Sequence, residues 1–284
     1  MGKHGIFVGL VTLDFVYLTS SLPGINQKMV ALDYTVTAGG PATNAAITFS
    51  YWGNTAKILG VVGEHPITHL IRSDLASYRV EIQDLDPKRL EPPPVSSILV
   101  TNSTGDRAVI SLNATKSQII AENLSLDIVQ NVNIILFDGH QMAISQKIAE
   151  LAQAKNIPIV IDGGSWKPGF AELLPLANYV ICSANFYPPG CETTADVIAY
   201  LAALNIPYIA ITHGEKPIQY LAKGIAGTIE VPVIKPVDTL GAGDIFHGAF
   251  CHYILHKEFP SALQDAAKVA AESCQYFGTR RWMS

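Results

Sequence analysis

Charged residues are scarce in this sequence: they make up 15% of its 284 residues, against 49% hydrophobic residues. Lysine and arginine number 19 and aspartate and glutamate 24, so the net charge at neutral pH is −5. That balance gives no broadly basic surface, and we expect neither nucleic acid nor an anionic membrane as a partner. The apolar content is sufficient for a large core and disfavours long disordered segments.

Cysteine is scarce too, and long apolar runs are missing. The four cysteines are Cys182, Cys191, Cys251 and Cys274. None belongs to a C-x-x-C pair, which speaks against zinc or redox ligation and favours packed thiols in a reducing compartment. No apolar run reaches the roughly 20 residues that a membrane helix needs, and the first one stops before Asp14 without a cleavage signal. We therefore expect a cytoplasmic protein.

Apolar runs suited to buried strands alternate with segments of helical periodicity. The runs at residues 6–11 and 56–62 predict strands, and residues 42–51 and 67–78 predict helices. Further strands are predicted at 133–137, 158–161, 179–182, 208–212 and 229–233, and further helices at 144–155, 195–204, 242–256 and 261–278. This β-α-β order predicts an α/β fold with a mostly parallel sheet and helices on both faces.

Two stretches break this order. Residues 28–36 and 96–112 alternate in the manner of exposed strands, and residues 102–106 carry a hairpin signal. We predict one domain over residues 1–284, with a small β-sheet lid formed by about residues 12–38 and 95–113. Such a sheet has unpaired edges, so a homodimer formed through the lid is a further expectation.

The segment 238–244, D-T-L-G-A-G-D, is the strongest candidate for a catalytic site. It opens a predicted helix, so the N–H groups of Gly241, Ala242 and Gly243 are expected to be unpaired and to form a hole for an anion. Asp244 follows in the first helical turn, where a carboxylate can take the proton of an attacking hydroxyl. The simpler interpretation is a capped helix with a glycine-rich entry.

The motif D-T-x-G-A-G-D resembles the signature of the ribokinase-like (phosphofructokinase B-type) carbohydrate kinase family. Residues 38–46, A-G-G-P-A-T-N-A-A, are similar to that family's early G-G-x-x-x-N-x-A motif. The resemblance spans nearly the whole chain. It implies a Rossmann-like body with a β lid, and transfer of phosphate from ATP, with Mg²⁺, to a sugar hydroxymethyl group.

The resemblance also implies roles for single residues. On the sugar side, a carboxylate, an amide and two close-approach glycines can share the substrate's hydroxyl groups. These residues are Asp14, Gly39, Gly40 and Asn44, with Asp244 beside them. On the nucleotide side the implied contacts are Asn185, Thr212, Gly214, Thr239, Gly241 and Gly243. Asp238 and nearby carbonyl groups are implied to help hold a monovalent cation.

The chain departs from the family pattern in two places. Pro188 stands where the family's N-x-x-E motif has a glutamate that organises Mg²⁺, so the metal ligands are left unknown, with Glu192 as a substitute. Residues 63–68 lack the acid and the second glycine of the family's G-x-D-x-x-G loop. Residues 52–53 and 180–183 look similar to the ketohexokinase-like and sulfosugar-kinase-like branch.

Four further residues are candidates for contact with the acceptor. Asp138 and His140 follow a strand and are candidates to face it. Arg280 and Arg281 are candidates to bind an anionic group, with a solvated tail as the alternative.

An ATP-dependent sugar kinase with Asp244 as general base is the leading hypothesis. The alternatives are a nucleoside kinase of the same fold and a catalytically weak sugar- or nucleotide-binding sensor. The sequence does not identify the sugar or the phosphorylated position.

Overall fold

The computed structural model describes residues 2–111 and 125–284, which form two sheets flanked by helices. In chain order the strands are β1 (His4–Val8), β2 (Thr12–Thr19), β3 (Asp33–Gly39), β4 (Thr55–Gly60), β5 (Val80–Asp84), β6 (Val95–Thr101), β7 (Arg107–Ser111), β8 (Ile134–Phe137), β9 (Ile159–Gly163), β10 (Tyr179–Ser183), β11 (Tyr208–His213), β12 (Lys216–Ala222) and β13 (Ile225–Ile229). The α-helices are α1 (Pro41–Ser50), α2 (Thr68–Ser77), α3 (Met142–Ala154), α4 (Phe170–Leu173), α5 (Thr194–Ala203), α6 (Ala242–Tyr253) and α7 (Phe259–Ser273).

The large sheet has the order β13-β12-β11-β10-β9-β8-β1-β4-β5. From β5 to β11 every neighbouring pair is parallel, while β12 and β13 add an antiparallel edge. The central strands are continuous apolar runs because both of their faces are covered. One core contains side chains from α1, α6 and α7, and a second core contains side chains from α3, α4 and α5. The predicted parallel sheet with helices on both faces is confirmed.

A second, smaller sheet has the order β3-β2-β6-β7. β2 pairs with β6 in parallel, and the other two pairs are antiparallel. It joins the two separate segments that the sequence predicts for the lid, and the expected hairpin connects β6 to β7. Val16, Ile98 and Val100 pack against Phe277 near the end of the chain. Residues 112 and 113 of the predicted lid lie outside the described residues.

Several predicted boundaries are wrong. β13 ends at Ile229 and residues 230–233 form no strand, since Pro232 has no N–H to donate into a ladder. α6 ends at Tyr253 and α7 at Ser273, both before their predicted ends. The strand predicted at 28–36 begins later, at Asp33. Strands β5 and β12 were not predicted at all.

Within residues 2–111 and 125–284, no helix is long and apolar enough to cross a membrane.

Candidate active site

Two helices begin side by side. α1 starts after Gly40 and α6 after Gly241, and α1 packs directly against α6. Because backbone N–H groups are unsatisfied at a helix N-terminus, both starts carry partial positive charge. Asn44 lies in the first turns of α1 and Asp244 in the first turn of α6. The two motifs found in the sequence therefore meet in one site.

Asp238 organises the loop that leads into α6. Its Oδ1 accepts a hydrogen bond from the Leu240 N–H (2.8 Å), and its Oδ2 accepts one from the Gly278 N–H (2.9 Å). Burial raises the pKa of Asp238, and these two donors oppose that rise. The carboxylate therefore connects the loop to the turn after α7. This structural role is additional to the predicted role of Asp238 in holding a monovalent cation.

Gly241 supplies the sharp entry into α6. Its φ of +69° lies in the left-handed region, where a side chain is strained, and a Cβ would also press on Thr279. A Cβ on Gly243 would meet nothing within 4 Å, so space is open above the first turn. Across the described residues, the N–H groups of Gly241 and Gly243 donate to no protein group. The sequence predicted that all three N–H groups would be unpaired, but the Ala242 N–H donates to Thr239 O at 3.4 Å.

Asp244 sits beneath this opening with part of its surface exposed. Its Oδ2 accepts a hydrogen bond from Asn44 Nδ2 at 2.8 Å. Burial of the carboxyl group raises the pKa of Asp244 to about 7, the negative charge of Asp162 adds to the rise, and the Asn44 hydrogen bond opposes it. A carboxyl with this pKa is in equilibrium between its acid and base forms near neutral pH, which suits proton transfer.

His247 and Asp162 lie close enough to Asp244 to influence its charge, and neither is among the residues that the sequence predicts for the site. His247 is one turn beyond Asp244 on α6, and its Nδ1 lies 2.7 Å from Gly243 O and 3.5 Å from Asp162 Oδ2. Its Nε2 lies 3.2 Å from Ile181 O. Both ring nitrogens therefore face oxygen acceptors. The i, i+3 spacing from Asp244 was the available signal for His247, and the position of Asp162 near the end of β9 was the signal for the second residue.

The predicted sugar-side residues are brought together. Asp14 is buried on β2, and its Oδ1 accepts a hydrogen bond from Thr12 Oγ1 at 2.7 Å. Gly39 packs against the Asp14 carboxyl group so closely that a Cβ there would overlap it. Gly40 has φ of +102° and passes over Leu10 O, and its carbonyl accepts from the Asn44 N–H. Burial raises the pKa of Asp14, which the Thr12 hydrogen bond opposes.

Asp138 is fully engaged by its surroundings. Its Oδ2 accepts from the N–H groups of Leu10 (2.9 Å) and Ala42 (3.1 Å), and so caps the start of α1. Its Oδ1 accepts from the His140 N–H (2.9 Å) and lies 3.1 Å from His140 Nδ1. Burial acts to raise the pKa of Asp138, but His140 and these donors outweigh it, so that the pKa lies below its usual value. The carboxylate holds backbone rather than facing an acceptor.

The predicted nucleotide-side residues occupy neighbouring strand ends. Thr212 pairs in register with Ser183, and its Oγ1 donates to Cys182 O at 3.3 Å. Asn185 is exposed just beyond β10, and Gly214 is exposed beyond β11. Thr239 contacts the small sheet, because its Oγ1 accepts a 2.8 Å hydrogen bond from Arg107 Nη1.

The described residues of this site do not form a preformed set of metal ligands. No group of three His, Cys, Asp or Glu residues converges in the described part of the chain. Glu192 is exposed, and the nearby Asp196 carboxylate caps α5 by accepting from Thr193. Mg²⁺ usually keeps its waters and binds through one or two carboxylates and substrate phosphates, so the residues present fit a metal carried by the nucleotide.

The two arginines near the end of the chain differ. Arg281 is half-exposed and pairs with Asp33 at 2.7 Å. Arg280 is buried and bonded to Asn44, so the alternative of a solvated tail is wrong for this residue.

The chain is similar to known carbohydrate kinases over nearly its whole length. A family model described as pfkB family carbohydrate kinase matches residues 4–283. The ribokinase of Bacillus subtilis (strain 168) is 22% identical over 283 residues, covering 97% of this chain and 94% of the relative. The ketohexokinase of Mus musculus is also 22% identical, covering 96% of each chain. The structure of Arabidopsis thaliana ribokinase complexed with ribose and ATP matches with a TM-score of 0.79 at 23% identity, covering 98% of this chain and 94% of that one.

Both relatives are 22% identical to this chain, so the identity does not favour the ketohexokinase-like branch. The fold is ribokinase-like, with the large α/β sheet and the smaller second sheet. Since the family model spans nearly the whole chain, the protein belongs to the pfkB family of carbohydrate kinases and is a phosphotransferase whose acceptor is a sugar hydroxyl.

Proposed function

We propose that the protein transfers the γ-phosphate of ATP to a sugar hydroxyl with Asp244 as the general base. The observation that carries this proposal is the position of Asp244. Its carboxyl group lies in the first turn of α6, with a pKa raised to about 7 by burial, beside the unpaired N–H groups of Gly241 and Gly243. A base and an anion site are thus held within one helical turn.

The reaction follows from these groups. The sugar lies against Asp14, Gly39 and Gly40, with the reacting hydroxyl directed at Asp244. As the hydroxyl oxygen attacks the γ-phosphorus, its proton passes to the Asp244 carboxylate and the bond to the ADP oxygen breaks. The N–H groups at the start of α6 stabilise the charge on the transferring phosphoryl group.

The nucleotide is assigned to the edge formed by the ends of β10 and β11. Asn185, Thr212 and Gly214 lie there, and Thr239 lies in the loop before α6. Mg²⁺ bound to the ATP phosphates would neutralise part of their charge. Asn185 has an exposed polar side chain at this edge, and we assign that side chain to contact with the nucleotide.

The small sheet is assigned the role of a lid. It presents Asp14 from β2 and Gly39 from β3 to the acceptor, and its hairpin reaches the loop before α6 through Arg107. A cover of this kind excludes water from the transferring phosphate and limits ATP hydrolysis.

A substrate panel tests the reaction. Purified protein is incubated with ATP, Mg²⁺ and separate ketoses, pentoses and nucleosides, with ADP release and phosphorylated product both measured. We expect turnover with a sugar. A response confined to nucleosides would replace the sugar proposal with a nucleoside kinase, and binding without any turnover would favour the sensor.

A matched pair of variants tests the base. Asp244→Asn should lower kcat by about 10²- to 10⁴-fold, the usual contribution of general-base catalysis, with sugar binding retained. Asp265→Asn on α7 removes the same charge from a surface ion pair and should leave kcat within about twofold. Near wild-type turnover by Asp244→Asn would show that another group takes the proton.

A further inference from the structure

Arg280 is the residue that connects the end of the chain to the active site. It is buried, with 8% of its surface exposed. Its Nη1 donates to Asn44 Oδ1 (2.9 Å) and to Thr279 Oγ1 (2.8 Å). Asn44 in turn donates from Nδ2 to Asp244 (2.8 Å). One side-chain amide therefore lies between a cation and the carboxylate that we assign as the base.

The two neighbours fix which way the Asn44 amide points. A guanidinium only donates hydrogen bonds, so Arg280 can face only the amide oxygen. An ionised carboxylate only accepts, so Asp244 can face only the amide nitrogen. A flipped Asn44 would place its oxygen against Asp244 and its NH₂ against Arg280, which loses both hydrogen bonds. Arg280 thereby excludes that flipped orientation.

Arg280 is itself held on its other side. Its Nη2 donates to Ala38 O (2.6 Å) and lies 3.4 Å from Asp74 Oδ2 on α2. The same Asp74 oxygen accepts from the Ala38 N–H at 2.9 Å. The guanidinium plane also lies over Tyr78, with its central carbon 5.6 Å from the ring centroid. The fork of the guanidinium thus spans the end of β3 and the start of α1, and a single ammonium cannot do this.

We propose that Arg280 is a positioning residue for phosphoryl transfer, which orients the Asn44 amide so that it donates to Asp244. This inference rests on the proposed role of Asp244 as base. Arg280 acts through Asn44 and need not touch the sugar. Its removal frees the amide to rotate, and the base then loses the donor that favours its ionised form.

The electrostatic surroundings of Asp244 set the expected pH response. Asp162 on β9 and Asp138 after β8 raise its pKa by their charge, and His247 on its own helix lowers it. Asn44 on α1 provides the hydrogen bond that lowers it. Without that bond, only His247 still opposes the rise in the pKa of Asp244 that burial and the two acids cause. The acid limb of kcat/KM should therefore move to higher pH.

Arg280→Met is the first test, with Lys57→Met as the matched control. We expect Arg280→Met to lower kcat by about 10- to 100-fold, the usual effect of removing the partner that orients a site residue, with a smaller change in KM for the sugar. Its acid limb should lie at higher pH than that of the wild type. Lys57→Met breaks a surface ion pair with Glu81 on the large sheet and should keep kcat within about twofold and leave the acid limb unmoved.

A double-mutant cycle with Asn44→Leu tests whether the effect passes through Asn44. Residues that act as one unit are non-additive, so the double variant should be little slower than Asn44→Leu alone. If Arg280→Met does not fold, Arg280→Lys replaces it in the cycle. Lysine keeps the charge near Asp74 but cannot reach Asn44 and Ala38 together, so we expect the same direction of change.

Three results would overturn the proposal: wild-type kcat with an unmoved acid limb, a loss confined to KM, or additive effects in the cycle. A loss confined to KM would mean that Arg280 contacts the substrate. The Asp244→Asn variant separates these results from a failure of the proposed function. If that variant is inactive while Arg280→Met is normal, only the positioning role is wrong.

Discussion

Asn44 Nδ2 lies 2.8 Å from Asp244 Oδ2, although 200 residues separate the two in the sequence. Each side chain comes from the first turns of a helix that follows a glycine of positive φ. The hydrogen bond therefore joins the sugar-side motif to the phosphate-side motif directly. Burial of the Asp244 carboxyl group raises its pKa and this hydrogen bond lowers it, so the surroundings of Asp244 set its protonation.

The pH profile of the wild-type enzyme should reflect this carboxyl group. The base must be ionised, and burial raises the pKa of Asp244 to about 7. We expect kcat/KM to be constant above that pH and to fall by about tenfold per pH unit below it, since kcat/KM reports the free enzyme. Steady-state rates measured at saturating ATP from acid to alkaline pH test this. An acid limb at the ordinary pKa of an aspartate would contradict the assignment.

The same carboxyl group should cost the protein stability. Its folded-state pKa lies above that of an unfolded aspartate, so ionisation opposes folding. This cost is absent below the unfolded pKa, grows as pH rises between the two pKa values, and is complete above about 7.

Asp244→Asn removes that cost, because asparagine does not ionise and its oxygen can still accept from Asn44. Its Tm should exceed the wild-type Tm by about 2 °C or more in alkaline buffer, and the difference should shrink toward zero as pH falls to the unfolded aspartate value. Thermal melts of both proteins across this range test the prediction. The same advantage at every pH would mean that ionisation of Asp244 is not its source.

The sequence predicted the parts of the site that short motifs encode. The glycine pairs 39/40 and 241/243 indicated places where the backbone turns sharply or approaches a ligand, and the structure places Gly40 and Gly241 at the starts of α1 and α6. The alternation of apolar runs and helical periods predicted the central parallel strands. These features depend on neighbours in the chain, which a single sequence displays.

The remaining features depend on contacts between distant segments. Arg280 could not be distinguished from a solvated tail until the chain end was seen against α1 and β3. His247 has the spacing of an ordinary buried helix residue, and its partners Gly243 O and Ile181 O are backbone atoms that no motif marks. Strand β12 pairs antiparallel with β11 and β13, and its weaker apolar pattern gave no signal comparable to that of the buried strands.

Arg107 should hold the hairpin of the small sheet against the loop before α6. Its Nη1 donates to Thr239 Oγ1 (2.8 Å) and to Thr239 O (3.3 Å). Arg107→Ala should therefore raise the hydrogen-exchange rates of β6 and β7 amides, while the global stability changes by less than about 1 kcal/mol because the contact is exposed.

Lys57→Ala is the control for this variant, since its ion pair with Glu81 joins two strands of the large sheet and not the small one. Mass spectrometry of exchanged peptides would resolve the two variants. Unchanged protection of β6 and β7 in Arg107→Ala would show that packing against Phe277, and not the arginine, holds the hairpin.

We expect the protein to self-associate through the outer strand of the small sheet. β7 is an outer strand of that sheet and exposes 75% of Ile110 and 50% of Val109. Exposed strand edges with apolar side chains favour pairing with another chain. Ile110→Lys should therefore shift a dimer toward monomer in sedimentation velocity at micromolar concentration. Ile225→Lys is the control, because Ile225 is 73% exposed on β13, an outer strand of the large sheet. Equal effects of the two variants, or a wild-type monomer, would contradict association through the small sheet.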